Sequence, residues 1–244
     1  MDKFTYLFLN LITVIIPLAR SFEPRINFYS KWKALFKAIS ITALFFIVWD
    51  VCKTHFGIWG FNERYIIGIY IINLPIEEIL FFVCIPFACI FIYEVLNYFV
   101  KKDYLGRYAK RISLVLALVF FLLALGNFNK AYSFWNFLFC SLFLFYVSFT
   151  NPTYMGRFYL SFAVSLFGFF FINGVLTGTF YVEEPIVWYN NNEQLGFRIF
   201  KGLFGPNSLG IPIEDVFYGL LLLLMNVVLY ERFKQDVKSK LIKG

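Results

Sequence analysis

Two short stretches carry most of the chain's chemistry. NLPIEEILFF, from Asn73 to Phe82, sets Glu77 and Glu78 side by side at the mouth of a long apolar run. GIPIEDVFYG, from Gly210 to Gly219, does nearly the same with Glu214 and Asp215. Charged side chains are among the most costly groups to place in hydrocarbon, and an ionisable residue inside a membrane is a functional hypothesis by default. Carboxylates crowded into a low-dielectric pocket cannot all ionise, so a protonated acid ends up beside an ionised base. That pairing suits giving a proton to an apolar substrate and taking one from elsewhere on it. A plainer role also exists. Pro75 and Pro212 fit the first turn of a helix, and acids there suit its dipole. Two copies at one depth, each opening a long span, favour a site over a pair of caps.

The copies are in register. Pro75 and Pro212 are 137 residues apart, and so are Glu77 and Glu214, Glu78 and Asp215, Tyr93 and Tyr230, and Glu94 and Glu231. Internal repeats in membrane proteins often place the site at the repeat interface. Asp50, near the outer end of the second apolar run, is expected to orient the first pair. Asn173, near the outer end of the sixth, is read as its counterpart for the second. Glu94 and Glu231 lie about 25 Å further along their helices by helical rise. They are expected to pair with nearby Lys or Arg.

Seven apolar segments must position these groups: Phe4–Leu18, Ala34–Cys52, Ile76–Val100, Ile112–Gly126, Ser133–Phe149, Phe158–Leu176 and Pro212–Arg232. A span needs about 20 mostly apolar residues, so the first and fourth must recruit flanking ones. The first follows Lys3 like a signal peptide, but no A-x-A-like cleavage site follows, and it is read as a span. Lipid satisfies no backbone polar group, so the spans are helices; the apolar runs are continuous, which argues against a barrel. The expected fold is an all-α integral membrane protein of seven transmembrane helices. Residues 1–103 form a first three-helix repeat, 104–130 a linker span and 131–244 a second repeat. The linker restores the chain direction, so the repeats are parallel and both acidic motifs reach one face.

Lys3, Lys53, Arg64, Lys130, Arg198 and Lys201 fall on the N-terminal side of the membrane, and the rest of the 22 Lys and Arg fall on the other, as in Lys31, Lys33, Lys37 and Lys101, Lys102, Arg107. The positive-inside rule then puts the N-terminus outside and the C-terminus in the cytoplasm, in the cell (inner) membrane. Tyr65–Leu74 and Phe197–Leu209, too short to span, read as interfacial lids leading into the acidic motifs.

Composition agrees with a membrane solvent: 60% apolar, 15% charged and a net charge of +7. Soluble domains run nearer half apolar and a quarter charged. The basic residues lie in loops between apolar runs, so no nucleic-acid partner is expected. Cys52, Cys84, Cys89 and Cys140 lack metal-ligand spacing, His55 is the lone histidine, and no GxGxxG or phosphate loop occurs. No metal or cofactor is expected. Phe, Tyr and Trp make up 23% of the chain. Most read as lipid-facing bulk, but aromatic faces also stabilise cations, and Trp49, Trp59 and Trp188 are candidates to line the site.

FEPRINFYSKWKALF, WDVCKTHFGIWGFNERYIIGIYIINLPIEEILFF and GIPIEDVFYGLLLLLMNVVLYER closely resemble the membrane-integral lycopene cyclase family, in its fused form. The resemblance implies an isomerase (intramolecular lyase) that acts on lycopene or a related carotenoid within the bilayer lipid. Protonation at C2 of a ψ-end gives a C1 cation; the C5–C6 double bond attacks it, and loss of a proton leaves a β-ring. The products are γ-carotene and then β-carotene, with no net redox change. Carried over by motif, Glu77 and Glu214 come first as donor and acceptor, with Glu78 and Asp215 second and Asp50 and Asn173 orienting. Asp215 departs from the family's second Glu, so the halves need not do identical work. A prenyltransferase would need DxxxD-like motifs, which are absent. A proton-coupled transporter would need a polar track across the membrane, for which Asn10 and Asn226 are the candidates.

Overall fold

A computed structural model describes residues 2–180 and 183–243, with side chains of the last helix described as far as Asp236. The expected unit ends at 1 and 244 lie outside the described residues. Among the described residues, seven helices are long and apolar enough to cross a membrane. They are α1 (Thr5–Arg20), α2 (Trp32–His55), α3 (Ile76–Phe99), α4 (Gly106–Gly126), α5 (Ala131–Thr150), α6 (Met155–Leu176) and α7 (Ile213–Lys243).

Most helices run past the apolar segments read from the sequence. α4 starts at Gly106, a turn and a half before Ile112, and takes in Arg107, Lys110 and Arg111. Breaking the helix at the last apolar residue would orphan backbone groups, whereas long basic side chains reach the interface from inside the helix. α3 and α7 are the central pair: about half of the α3 span and two thirds of the α7 span are buried, against 17% for α1. α1 packs on α3, α5 on α7, and α4 on α5 and α6; α2 lies against α7 and α3, and α6 against α3 and α7.

Lipid tails are as apolar as leucine, so helix association here rests on close packing and interhelical polar bonds. α4 buries Ala109, Ser113 and Ala117 at four-residue spacing. Small residues on one stripe let backbones approach, and Ser141 Oγ donates to the Ala117 carbonyl at 2.8 Å. Aromatic edges fill the centre: Phe46 meets Tyr218 at 4.9 Å between ring centroids, and Phe120 meets Phe217 at 4.7 Å. Such pairs contribute about 0.5–1.5 kcal/mol each beyond area.

At the end away from the acidic motifs the two YE pairs clasp reciprocally. Tyr93 of α3 donates to Glu231 of α7 at 3.0 Å, and Tyr230 of α7 donates to Glu94 of α3 at 2.8 Å. Lys31 and Lys234 complete the cluster, 2.5 and 2.6 Å from Glu94. These acids pair with lysines as expected.

The end with the acidic motifs carries the departure from an all-helical chain, among the described residues a cap of six strands of two or three residues. β1 (Trp59–Phe61) pairs antiparallel with β4 (Val187–Tyr189), which ties the segments ahead of α3 and α7 together. The expected lids are hairpins. β2 (Tyr70–Ile71) pairs with β3 (Leu74–Pro75), and β5 (Arg198–Ile199) with β6 (Ile211–Pro212). β3 runs straight into α3 and β6 into α7. Each hairpin turns on a left-handed residue, Ile72 at φ 63° and Phe200 at φ 62°, a conformation that costs roughly 1–2 kcal/mol for a residue with a Cβ. Gly210, at φ 77°, precedes β6, and a Cβ there would lie 2.8 Å from the Ile199 carbonyl oxygen. The backbone is forced into a fixed path just ahead of the second acidic motif.

Candidate functional site

Pro75 and Pro212 end β3 and β6 immediately before the helices. Pro75, extended at φ −65° and ψ 150°, is the N-cap of α3 rather than a residue of its first turn. The ring fixes φ and needs no partner for a missing N–H. The backbone N–H groups of Ile76 and Ile213 donate to the Ile69 and Phe197 carbonyls, which locks each helix start to its hairpin. All four carboxylates are buried.

Within each pair the two acids diverge. Glu77 Oε1 accepts the Ile67 backbone N–H at 2.7 Å. Glu214 Oε1 accepts the Leu195 N–H at 2.6 Å and the Ser133 hydroxyl at 2.6 Å. These acids hold the capping segments against the helix starts. Glu78 and Asp215 turn the other way, about 100° around the helix, and both line a cavity of about 420 Å³. Glu77 and Glu214 do not line it.

The cavity pair is unequally hydrogen-bonded. Asp215 accepts three hydrogen bonds: Tyr132 Oη at 2.6 Å on Oδ1, and Asn173 Nδ2 and Tyr189 Oη, each at 2.8 Å, on Oδ2. Glu78 accepts one, from Tyr6 Oη at 2.5 Å. Tyr189, on the cap, stays a phenol: burial pushes it well above the ordinary tyrosine range, the facing Asp215 adds to that, and Arg198 opposes it. It is therefore a fixed donor.

Tyr6 and Tyr132 were not singled out in the sequence, yet each precedes an asparagine by four residues, in YLFLN and YSFWN. Residues four apart share a helix face. Asn10 Nδ2 donates to the Glu77 carbonyl at 2.8 Å, and Asn136 Nδ2 to the Glu214 carbonyl at 2.6 Å. Asn10 is thus a scaffold for the acidic turn, and Asn226 bonds within its own helix to the Leu222 carbonyl.

Asp50 sits elsewhere than expected. Tyr218 Oη is 2.9 Å from both of its oxygens, and Lys53 Nζ is 2.9 Å from Oδ1. It reaches across to α7, whereas Asn173 bonds Asp215 directly. The two are not structural counterparts. α2 and α6 end in the same pair of turns, at Gly57 with φ 65° and Gly178 with φ 70°. In these turns Ile58 N–H bonds the Lys53 carbonyl and Thr179 N–H the Gly174 carbonyl, which aligns Cys52 with Asn173.

Lys53, counted above as an outer-loop charge, is 2% exposed and lies within α2. Its ammonium is 3.7 Å from the ring centroid of Trp59, 4.2 Å from those of Trp49 and Tyr218, and 5.1 Å from that of Tyr132. Trp59, Tyr132 and Tyr218 also line the cavity, so they separate Lys53 from it. Trp49 belongs to the lysine box, and Trp188 lies outside, half-exposed over Gly60.

Fold and site together define an integral membrane protein with two carboxylates lining an apolar, aromatic-walled cavity. The chain belongs to the lycopene cyclase family, whose profile matches residues 3–96 and 129–233. The unmatched interval, 97–128, contains α4. Comparison with curated proteins and with solved structures gave no match. Membership supports a carotenoid cyclase, an enzyme of carotenoid cyclisation.

Proposed function

We propose that the protein is a lycopene β-cyclase in which Glu78 is the acid and Asp215 the base. The observation that carries this is the unequal hydrogen bonding of two carboxyls lining one cavity. Three donors stabilise a carboxylate, whereas a buried carboxyl with one donor keeps its proton at less cost. Glu78 gives that proton to C2 of the terminal double bond. The C5–C6 double bond closes on the C1 cation, and Asp215 takes the proton from C6. Proton gained and proton lost balance, so the step is an isomerisation of the intramolecular lyase type. The faces of Tyr6, Trp59, Phe81 and Tyr218 around the cavity suit a travelling cation.

On this reading residues 1–103 and 131–244 are parallel repeats joined by the span within 104–130. The matching bonds of Tyr6 with Tyr132 and of Asn10 with Asn136 support it. The N-terminus lies outside and the C-terminus in the cytoplasm. Glu77 and Glu214, ranked first from the motif, become the anchors that aim the acid and base. The test is expression in a lycopene-accumulating cell: γ- and β-carotene appear in the pigment chromatogram. Carotenoids that stay acyclic while the protein is in the membrane refute the assignment, and ε-ringed products refute the β-ring.

A further inference from the structure

The cavity is closed over by buried Trp59 and Val187 of the cap, beside Tyr189, and is open along one side. Its floor is α3 and α7 and its walls are α1 and α6. Along α3 it runs from Glu78 to Ile92, about 21 Å at 1.5 Å per residue. Ile12 and Ile16 on α1, and Gly168 and Phe171 on α6, line it and are also exposed on the lipid-facing surface. They form a slot between two spans. The equivalent side of the molecule, where α2 meets α5, is filled. Phe45 and Trp49 of α2 meet Phe139 of α5 edge-on, with ring centroids 5.5 and 5.0 Å apart, and boxed Lys53 occupies the position that Gly174 has on α6.

Resting on the cyclase reading, we infer that the slot between α1 and α6 is a lateral portal that admits one end of a linear polyene from the bilayer. The end slides up along α3 to Glu78 and Asp215, and the remainder stays in lipid. A linear tetraterpene is about as long as the hydrocarbon core is thick, about 30 Å, so a cleft of about 21 Å holds only part of it. With the second side filled, the far end has no acid pair of its own. Each ring is made in a separate visit, with the monocyclic product released between the two.

The experiment uses the full chain in lipid vesicles loaded with lycopene. Gly168→Trp and Ile16→Trp place an indole in the slot, and Leu44→Trp, on the exposed face of α2, is the control. The slot variants are expected to lose at least about tenfold in conversion, since displacing a reacting group by an ångström already costs more than that. The control should keep its rate. In a pulse of labelled lycopene chased with excess unlabelled lycopene, the label is expected to stall in the monocyclic product. Slot variants that insert normally and match the control overturn the portal. Labelled bicyclic product formed without a labelled monocyclic stage overturns the separate visits. An unmodified protein that makes no ring at all overturns the cyclase reading itself.

Discussion

Lys53 and Asp50 form an ion pair of 2.9 Å, buried one helical turn apart on α2. Four aromatic rings enclose the ammonium, and Tyr218 closes over the carboxylate. A pair this dry gains little over an apolar substitute, but removing one partner strands the other's charge, at a cost of about 3–5 kcal/mol.

Lys53→Met is therefore expected to lower the melting temperature in detergent sharply. Lys53→Met combined with Asp50→Asn should recover most of the loss, because neither charge is then left alone. A double variant no more stable than Lys53→Met would show that the pair is not the source of the cost. Trp59, Tyr132 and Tyr218 wall both the box and the cavity, so single-variant activity should fall with stability and return in the double variant.

Three of the four acids, Glu77, Glu78 and Asp215, should separate by function. Glu78→Gln and Asp215→Asn keep the shape of the site and remove the acid or the base, and cyclisation is expected to drop by about 10²–10⁴-fold. Glu77→Gln should be much milder. Its amide oxygen can still accept the Ile67 N–H, and its new N–H₂ takes the place of Glu77 Oε2, a buried oxygen with no hydrogen-bond partner among the described residues. Carotenoid yield per amount of inserted protein reads out all three. Equal losses at Glu77 and Glu78 would return the proton to the residue that lies off the cavity.

Much of this was legible in the sequence because the period of a helix and the cost of charge in lipid are strong signals. Seven apolar runs, the 137-residue spacing and the two acid pairs all follow from them. Which acid of each pair faces the cavity was not legible. Adjacent residues differ by about 100°, and the choice between Glu77 and Glu78 depends on where the Ile67 N–H is delivered by a distant cap. Lys53 misled for a related reason. One turn from a helix end, a lysine reads as a loop charge; only the tertiary meeting of Trp49, Trp59, Tyr132 and Tyr218 makes burial tolerable. Tyr6 and Tyr132 were readable in principle from the YxxxN spacing, but aromatics are so common here that the pair did not stand out.

Tyr189 gives the pH dependence. Its phenol is pushed well above an ordinary value of about 10 by burial and by the Asp215 carboxylate. The folded protein thus holds this proton more tightly than the unfolded chain does. The resulting stabilisation is fully present below pH about 10 and is lost as pH rises through the folded-state value. Tyr189→Phe removes both that proton and the hydrogen bond to Asp215, worth about 1.5–3 kcal/mol to a charged acceptor. The variant should melt lower than the parent at neutral pH, with the gap narrowing above pH about 10. Melting curves in detergent at neutral pH and near pH 11 check this; a gap that stays constant or widens would mean that Tyr189 does not hold its proton against Asp215. Cyclisation at neutral pH should also fall in the variant, since Asp215 keeps only Tyr132 and Asn173 to hold it as a base.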